Sequence, residues 1–356
     1  MNSPSKQDRV GKKRSHVLTA LVLPAAVSAI IVWLLLRGLS WQRIIGSILS
    51  ASPIGLAFYA MIALAGLWLR AIRFRILLPD PKPASGPVFL ATIIQNALGD
   101  LVPARMASLG SYIWLMKQRL AVAAESAAST FIVSFVLDLL TLGPLLLLAV
   151  AVRFGIAAPA GNPGLSLKWI AVFSVAFLVL SAAAAWWIGP LTRLFARLPR
   201  SLARERENSG WARASAFLER VADSMEAVRR GGTLLRLLAI SFAIRFAKYA
   251  SLFALTESLL AGTGYAAPHP NPWDLIIGVS ATELIASLPI PAIGQFGVWE
   301  GGMVGVLVMM GFHREQATLV AFGVHGVTTA FEYLVAALAL AGMLVLPKKR
   351  RGTSWK

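Results

Sequence analysis

The chain has 356 residues, 57% of them hydrophobic, with a mean hydropathy of +0.70 and a formal net charge of +18. One soluble core cannot bury that much apolar surface, so the composition excludes an ordinary water-soluble domain and places the chain in a bilayer. Zero Cys excludes disulfides, thiolate metal sites and a cysteine nucleophile, and His16, His269, His313 and His325 are too scattered for a zinc motif.

The first element is a basic tail, residues 1–16, with Lys6, Arg9, Lys12, Lys13 and Arg14. It precedes an apolar stretch, 17–36, that is too long for a signal-peptide core and reads as a signal anchor with the N-terminus in the cytoplasm. A second span, 53–69, is followed by RAIRFR, whose Arg70, Arg73 and Arg75 return the chain to the cytoplasm by the positive-inside rule. Further full spans are predicted at 121–152, 167–188, 234–260 and 316–346, making six. The Lys and Arg gather beside these spans, so the basicity reports topology and anionic lipid, not nucleic acid.

Two apolar segments, 87–116 and 274–311, are interrupted. NALGDLVPAR at 96–105 and LPIPAIGQFGVWE at 288–300 place prolines, glycines and ionisable groups inside stretches hydrophobic enough for membrane depth. Hydrocarbon leaves no partner for free backbone N–H and C=O groups, so such breaks are expected only where protein or a wet cavity surrounds them, as at a substrate site. Lys117 and Arg119 follow the first broken segment, which is entered from the basic side, so it reads as a re-entrant hairpin from the cytoplasm. Residues 190–232 carry nine Arg whereas 261–273 carry no Lys or Arg, so the second hairpin enters from outside and the tail 347–356 falls inside.

The expected fold is therefore an all-α polytopic membrane protein with six full spans plus two re-entrant broken-helix hairpins. The order helix, helix, hairpin, helix occurs twice, from opposite sides, which predicts an inverted repeat with halves at about 17–153 and 167–346 within a membrane domain of 17–346. Eight ordinary spans, with each broken segment two kinked helices, is the alternative. The insert 190–232 reads as a cytoplasmic amphipathic helix on the membrane surface.

With this topology Arg105, Arg245 and Lys248 fall at membrane depth, where each costs about 2.5–3.5 kcal/mol on insertion scales. Arg245 and Lys248 stand three apart on one helical face and suit a phosphate or carboxylate, although pairing with an acid on a neighbouring helix is the alternative for Arg245. Arg105 beside Asp100 and Pro103 is likewise either a ligand or a pinned ion pair. The deep acids are Asp100, Asp138, Glu257, Glu283, Glu300 and Glu332, six against three bases, which leaves room for a bound cation or for protonated carboxyls. Glu300 either holds the Gly-rich turn through backbone N–H groups or gates an outer cavity. His325 and Glu332, seven apart on one face, read as a proton relay or as a helix–helix hydrogen bond.

RAIRFRILL after the second span, N-x6-P-A-R in the first hairpin, FVLDLL around Asp138 and P-x-P-x2-G-x2-G-x2-E in the second hairpin together resemble the transmembrane-domain family of lysylphosphatidylglycerol synthases and flippases. The similarity runs from about Val17 to Leu346, and Arg73, Asn96, Pro103, Arg105, Asp138, Pro289, Gly294, Gly297 and Glu300 carry it. Many members have Gly-Glu shortly after the hairpin Arg, where this chain has Ala107 and Ser108.

The resemblance implies a multi-pass protein of the bacterial inner membrane, both termini cytoplasmic, that moves an anionic-head phospholipid, an aminoacyl lipid or a polyprenyl-linked lipid between leaflets. It implies no cofactor, no metal and no nucleic acid, with membrane lipid as partner and envelope-biosynthesis enzymes as candidate associates. The fused family form carries an aminoacyl transferase domain after the membrane part; only 347–356 follow it here, so this chain is expected not to attach amino acids itself. Candidate head-group residues are Arg73, Asn96, Asp100, Arg105, Arg245 and Lys248. Gate or turn residues are Pro103, Pro289, Pro291, Gly294, Gly297 and Glu300, and ion or proton coupling falls to Asp138, Glu283, His325 and Glu332. An integral-membrane transferase using a lipid-phosphate donor and a non-catalytic partner of an envelope-lipid enzyme complex are the readings from other classes.

Overall fold

The computed structural model describes residues 25–37, 39–99, 106–153, 232–262, 271–286 and 292–346, with single positions between 172 and 226. Among these residues the chain is helical and contains no strand. The helices are α1 (Ala25–Leu35), α2 (Trp41–Leu49), α3 (Pro53–Leu77), α4 (Ser85–Gly99), α5 (Met106–Arg119), α6 (Ala124–Ala151), α7 (Leu234–Gly262), α8 (Pro272–Ala286), α9 (Val298–Met309) and α10 (Arg314–Val345). Four of them, α3, α6, α7 and α10, are long and apolar enough to cross a membrane.

The helix starts follow local chemistry. Ser52 Oγ accepts the Gly55 N–H ahead of Pro53 at the first helical position, a place where a missing N–H costs nothing. Ala121 has φ of 56°, so the helix expected from 121 begins at Ala124. The span expected to end at 69 instead stays helical through Leu77, which carries Arg70, Arg73 and Arg75 on the helix and not in a loop. The expected span 167–188 and the insert 190–232 fall for the most part outside the described residues, as do both tails. Of the expected first span, Ala25–Leu35 is described as helix.

Each interrupted segment is a pair of short helices. Helices α4 and α5 pack on one another, and so do α8 and α9. At 1.5 Å per residue these run about 18–22 Å, less than the roughly 30 Å hydrocarbon core. The second pair is antiparallel: a Cβ built at Gly278 would lie 2.7 Å from Val306, and one at Gly302 would lie 3.3 Å from Thr282. Absent side chains at these positions let the two helices close to backbone contact.

The largest interface joins α3 to α7. A Cβ at Gly55 would meet Ser258 at 2.6 Å, Gly66 faces Ala247, and Arg73 bonds Ser241, so the two helices run antiparallel along a seam of small residues. Around this pair, α4 packs on α10 while α8 packs on α6, and α5 packs on α6 while α9 packs on α10. Two large apolar cores result, beside smaller clusters at Ile44, Leu319 and Phe322 and at Val133, Leu137 and Leu237. Leu142, Leu145, Leu255, Leu259, Leu275 and Leu307 belong to one, and Phe74, Val88, Ala91, Tyr112, Leu115 and Met116 to the other. Helix α10 serves both, with Val320 and Val324 in the first and Ala339 and Met343 in the second.

The outer surface is also apolar. On α3, Ile54, Phe58, Met61, Leu64 and Trp68 recur at three- and four-residue spacing and are exposed, as are Leu334, Leu338 and Leu344 on α10. A stripe of that kind on a long helix is the face that lipid covers.

Candidate functional site

The polar side chains that the fold brings together form a relay through its middle. It begins at Arg70, one helical turn from Arg73 on α3, whose Nη1 donates to Asn96 Oδ1 near the end of α4. Arg73 is fully buried and grips Asp138 of α6 with both Nη atoms, at 2.6 and 3.0 Å, while Nη1 also donates to Ser241 Oγ of α7 at 2.9 Å. Arg245 Nη2 donates to the Asp138 backbone carbonyl at 2.9 Å, and its Nη1 donates to Glu283 Oε2 of α8 at 3.3 Å. Lys248 Nζ bonds the other oxygen of Glu283. The contacts of Arg73, Asp138, Arg245, Glu283 and Lys248 thus join α3, α6, α7 and α8 in one network, and the Arg70–Asn96 bond fastens α4 to α3 one turn away.

Exposure differs among these groups. The side chain of Arg73 is 1% exposed, Arg245 10%, Glu283 15%, Asp138 26% and Lys248 33%. Arg73 is therefore sealed, and Lys248 is more open than Arg73 and Arg245. Arg70, Arg73, Arg245 and Lys248 are the cations of the relay, and Asp138 and Glu283 are carboxylates that they meet. The fork of Arg73 matches a carboxylate in two parallel bonds, the geometry that makes Arg suit a buried pair better than Lys.

A second cluster lies at the break of the second hairpin. Gly294 has φ of 57°, Gln295 of 60° and Gly297 of 89°, three left-handed residues in four positions, which turn the chain sharply before α9. Glu300, in the first turn of α9, is fully buried. Its Oε2 accepts the Gly297 N–H at 2.7 Å, which satisfies a helix-start donor in the manner of a capping box, and its Oε1 lies 2.7 Å from Nδ1 of His325 on α10. Phe296 stacks on the His325 ring with centroids 4.5 Å apart, and Trp299 lies against the same ring at 5.2 Å. A Cβ at Gly297 would stand 2.8 Å from Ile31 Cβ, so α1 is seated directly on this turn.

Arg73, Asp138, Arg245, Lys248 and Glu283 accordingly fall in one network with Asn96 bound to Arg70 beside it, while Gly294, Gly297, Glu300 and His325 form the other cluster. Glu300 is the acid that meets His325 Nδ1, and Phe331, next to Glu332 on α10, meets the ring of Tyr59 of α3. Asp100, Pro103, Arg105, Pro289 and Pro291 lie outside the described residues. Arg70 and Ser241 were not among the sequence candidates, the first because a basic run at a span end reads as a topology signal. Gln95 also escaped the sequence reading. Buried on α4, it bonds Ser108 Oγ of α5 through Nε2, so the two helices of the first hairpin are held together by a neutral contact.

The family model of the lysylphosphatidylglycerol synthase transmembrane region matches residues 21–336. The chain belongs to this family. Comparison with the curated proteins gives no match. As a member of a lipid-related membrane family, with four helices able to span a bilayer, it is a multi-pass membrane protein whose function is tied to membrane lipid.

Proposed function

We propose that the protein is a flippase-like lipid translocase of a bacterial inner membrane, with both termini cytoplasmic, in which two re-entrant hairpins gate opposite ends of a head-group path. The packing supports an inverted repeat. Exchanging each first-half helix for its second-half counterpart turns the α4–α10 contact into α8–α6 and the α5–α6 contact into α9–α10. The central α3–α7 contact is its own counterpart, and its antiparallel course is what a two-fold axis in the membrane plane requires.

The observation that carries the reading is the relay from Arg73 to Glu283. It runs from α3 through α6 and α7 to α8 of the second hairpin, with α4 of the first hairpin held to α3 one turn away by Arg70 and Asn96, and it places a partly open Lys248 among deep charged groups. Intramembrane charge is costly and marks substrate paths. In this reading Lys248 and Arg245 meet the anionic head, Arg73 holds Asp138 in place, and Arg70 with Asn96 continues the path to the first hairpin. Asp100 and Arg105 complete it on the cytoplasmic side, with Pro103, Pro289, Pro291, Gly294 and Gly297 as the helix-breaking elements of the two gates.

The deciding experiment is reconstitution of the purified protein into phosphatidylglycerol-containing vesicles with a fluorescent phosphatidylglycerol, following its loss from the outer leaflet by dithionite quenching. Acceleration over protein-free vesicles, weakened by Lys248→Ala, supports translocation. Wild-type protein without any acceleration, for this lipid and for aminoacyl and polyprenyl-linked lipids, contradicts it and favours a partner protein of an envelope-lipid enzyme.

A further inference from the structure

Glu283 of α8 takes one contact from each of two cations on α7, Lys248 Nζ on Oε1 and Arg245 Nη1 on Oε2 at 3.3 Å. We infer that this carboxylate is a resident stand-in for the phosphodiester of a lipid head group, occupying the two cations until a lipid displaces it. The inference rests on the translocase reading above and gives its cationic site a ligand chemistry and an internal competitor.

The two carboxylates of the relay are held in different ways. Asp138 is gripped by a single guanidinium through bonds of 2.6 and 3.0 Å, and that guanidinium is sealed. Glu283 is shared between two side chains, and its bond from Arg245 is longer than the roughly 2.7–2.9 Å of a close charge-assisted contact. Arg245 also has a buried Nε–H without a partner, so its guanidinium keeps donor capacity that Glu283 does not use. Asp138 is thus a lock between helices, and Glu283 is the acid that an incoming anion displaces.

The site has room on its inner side. Around Lys248 on α7, Ser241, Ile244, Ser251, Leu252 and Leu255 are all buried, while the exposed Phe246 lies on the opposite side of the helix. The exposed third of Lys248 therefore faces a gap between helices and not the surface that lipid covers. A phosphodiester presents two unesterified oxygens that share one negative charge, as an ionised carboxylate does, so it takes over the contacts of Glu283 one for one. The displaced carboxylate, already 15% exposed, is hydrated in the same gap. A competitor tethered to the same chain acts at an effective concentration of about millimolar or higher, so the site resists dilute free anions and yields to a lipid concentrated in the bilayer.

The test reads stabilisation of the purified protein in detergent, a measurement that needs no transport. Dihexanoyl phosphatidylglycerol is added at fixed ionic strength, and the rise in melting temperature is followed against its concentration. Without lipid, Glu283→Gln should melt below wild type, because Arg245 and Lys248 lose their counter-charge. With lipid it should reach half of its rise at about one-tenth of the wild-type concentration, since the competitor is gone. Glu283→Asp, which keeps the charge and loses one methylene of reach, should fall between the two. Adding Lys248→Ala to Glu283→Gln should remove the gain, and Glu257→Gln, nine positions beyond Lys248 on α7, should match wild type. An unchanged half-point in Glu283→Gln, or in Glu283→Asp where Glu283→Gln does not fold, overturns the stand-in, and so does an equal gain in Glu257→Gln. Inorganic phosphate that stabilises as well as phosphatidylglycerol at equal concentration overturns the lipid as ligand, as does dihexanoylglycerol, which lacks the phosphate, if it gives the same gain. Wild-type flipping in vesicles with an unchanged half-point for Glu283→Gln removes the stand-in alone. The expected half-points in a protein that never flips lipid remove the translocase reading and leave Glu283 as the competitor at a lipid-binding site.

Discussion

Arg73 and Asp138, sixty-five positions apart, meet as a two-bond ion pair in which the guanidinium is sealed and the carboxylate remains partly open. The pair locks α3 to α6, and Arg245 of α7 adds its own bond to the Asp138 carbonyl, so three helices are fixed relative to one another at one point. A buried pair of this kind is expensive to break from one side, because the remaining charge has no solvent to return to.

Arg73→Ala should therefore destabilise the protein by about 3 kcal/mol, read as a lower melting temperature in detergent, whereas Arg73→Met with Asp138→Leu should recover most of the loss. If Arg73→Ala melts like wild type, the pair is not holding the helices together.

Lys248 should behave differently, since its side chain is one-third exposed. Lys248→Ala is expected to leave the melting temperature within a few degrees of wild type and to weaken binding of anionic lipid about tenfold, in the range of a lost charge-assisted contact. Native mass spectrometry of bound phosphatidylglycerol against a zwitterionic lipid checks this. Glu283→Gln, which removes the competing carboxylate, should act in the opposite direction on affinity.

Gly297 combines a φ of 89° with a neighbour, Ile31, that a Cβ would strike at 2.8 Å. Gly297→Ala should cost about 1–2 kcal/mol from the backbone conformation alone, with the steric conflict added to it. In an Ile31→Gly background, where the clashing Cβ is gone, Gly297→Ala should cost only the backbone part. An equal cost of Gly297→Ala in the wild-type and Ile31→Gly backgrounds would show that α1 does not press on the turn.

The chain has no native Cys, so single cysteines report topology cleanly. Positions 85–87 and 117–119 should be labelled from the cytoplasmic side and positions 265–271 from outside. Labelling of position 118 from outside alone would remove the re-entrant first hairpin and the inverted repeat that depends on it.

The four long helices were legible because each holds a predominantly apolar stretch of membrane-crossing length, a signal that needs no tertiary information. The breaks were legible for the opposite reason, since Pro and Gly in such a run must be accommodated by surrounding protein. Arg70 and Arg73 were misplaced to a loop because a basic cluster at the end of an apolar stretch is how topology is written, and hydropathy cannot tell that signal from a guanidinium turned inward to an acid on another helix. Glu300 was readable as a helix-start residue from its place three positions after Gly297. Its pairing with His325 was not, because twenty-five positions and a change of helix separate them. The spacing within α10 offered a relay with Glu332 and a helix–helix hydrogen bond as the two readings of His325, and the contact with Glu300 of α9 is a bond between helices.

The central claim is that lipid crosses the bilayer past the charged relay, and the measurement that meets it most directly is the dithionite assay in phosphatidylglycerol vesicles, run with wild type beside Lys248→Ala and Gly297→Val. The account predicts accelerated loss of the fluorescent lipid for wild type, a rate lowered about tenfold for Lys248→Ala, and arrest for Gly297→Val while phosphatidylglycerol still binds. A Gly297→Val protein that flips lipid as fast as wild type would contradict it.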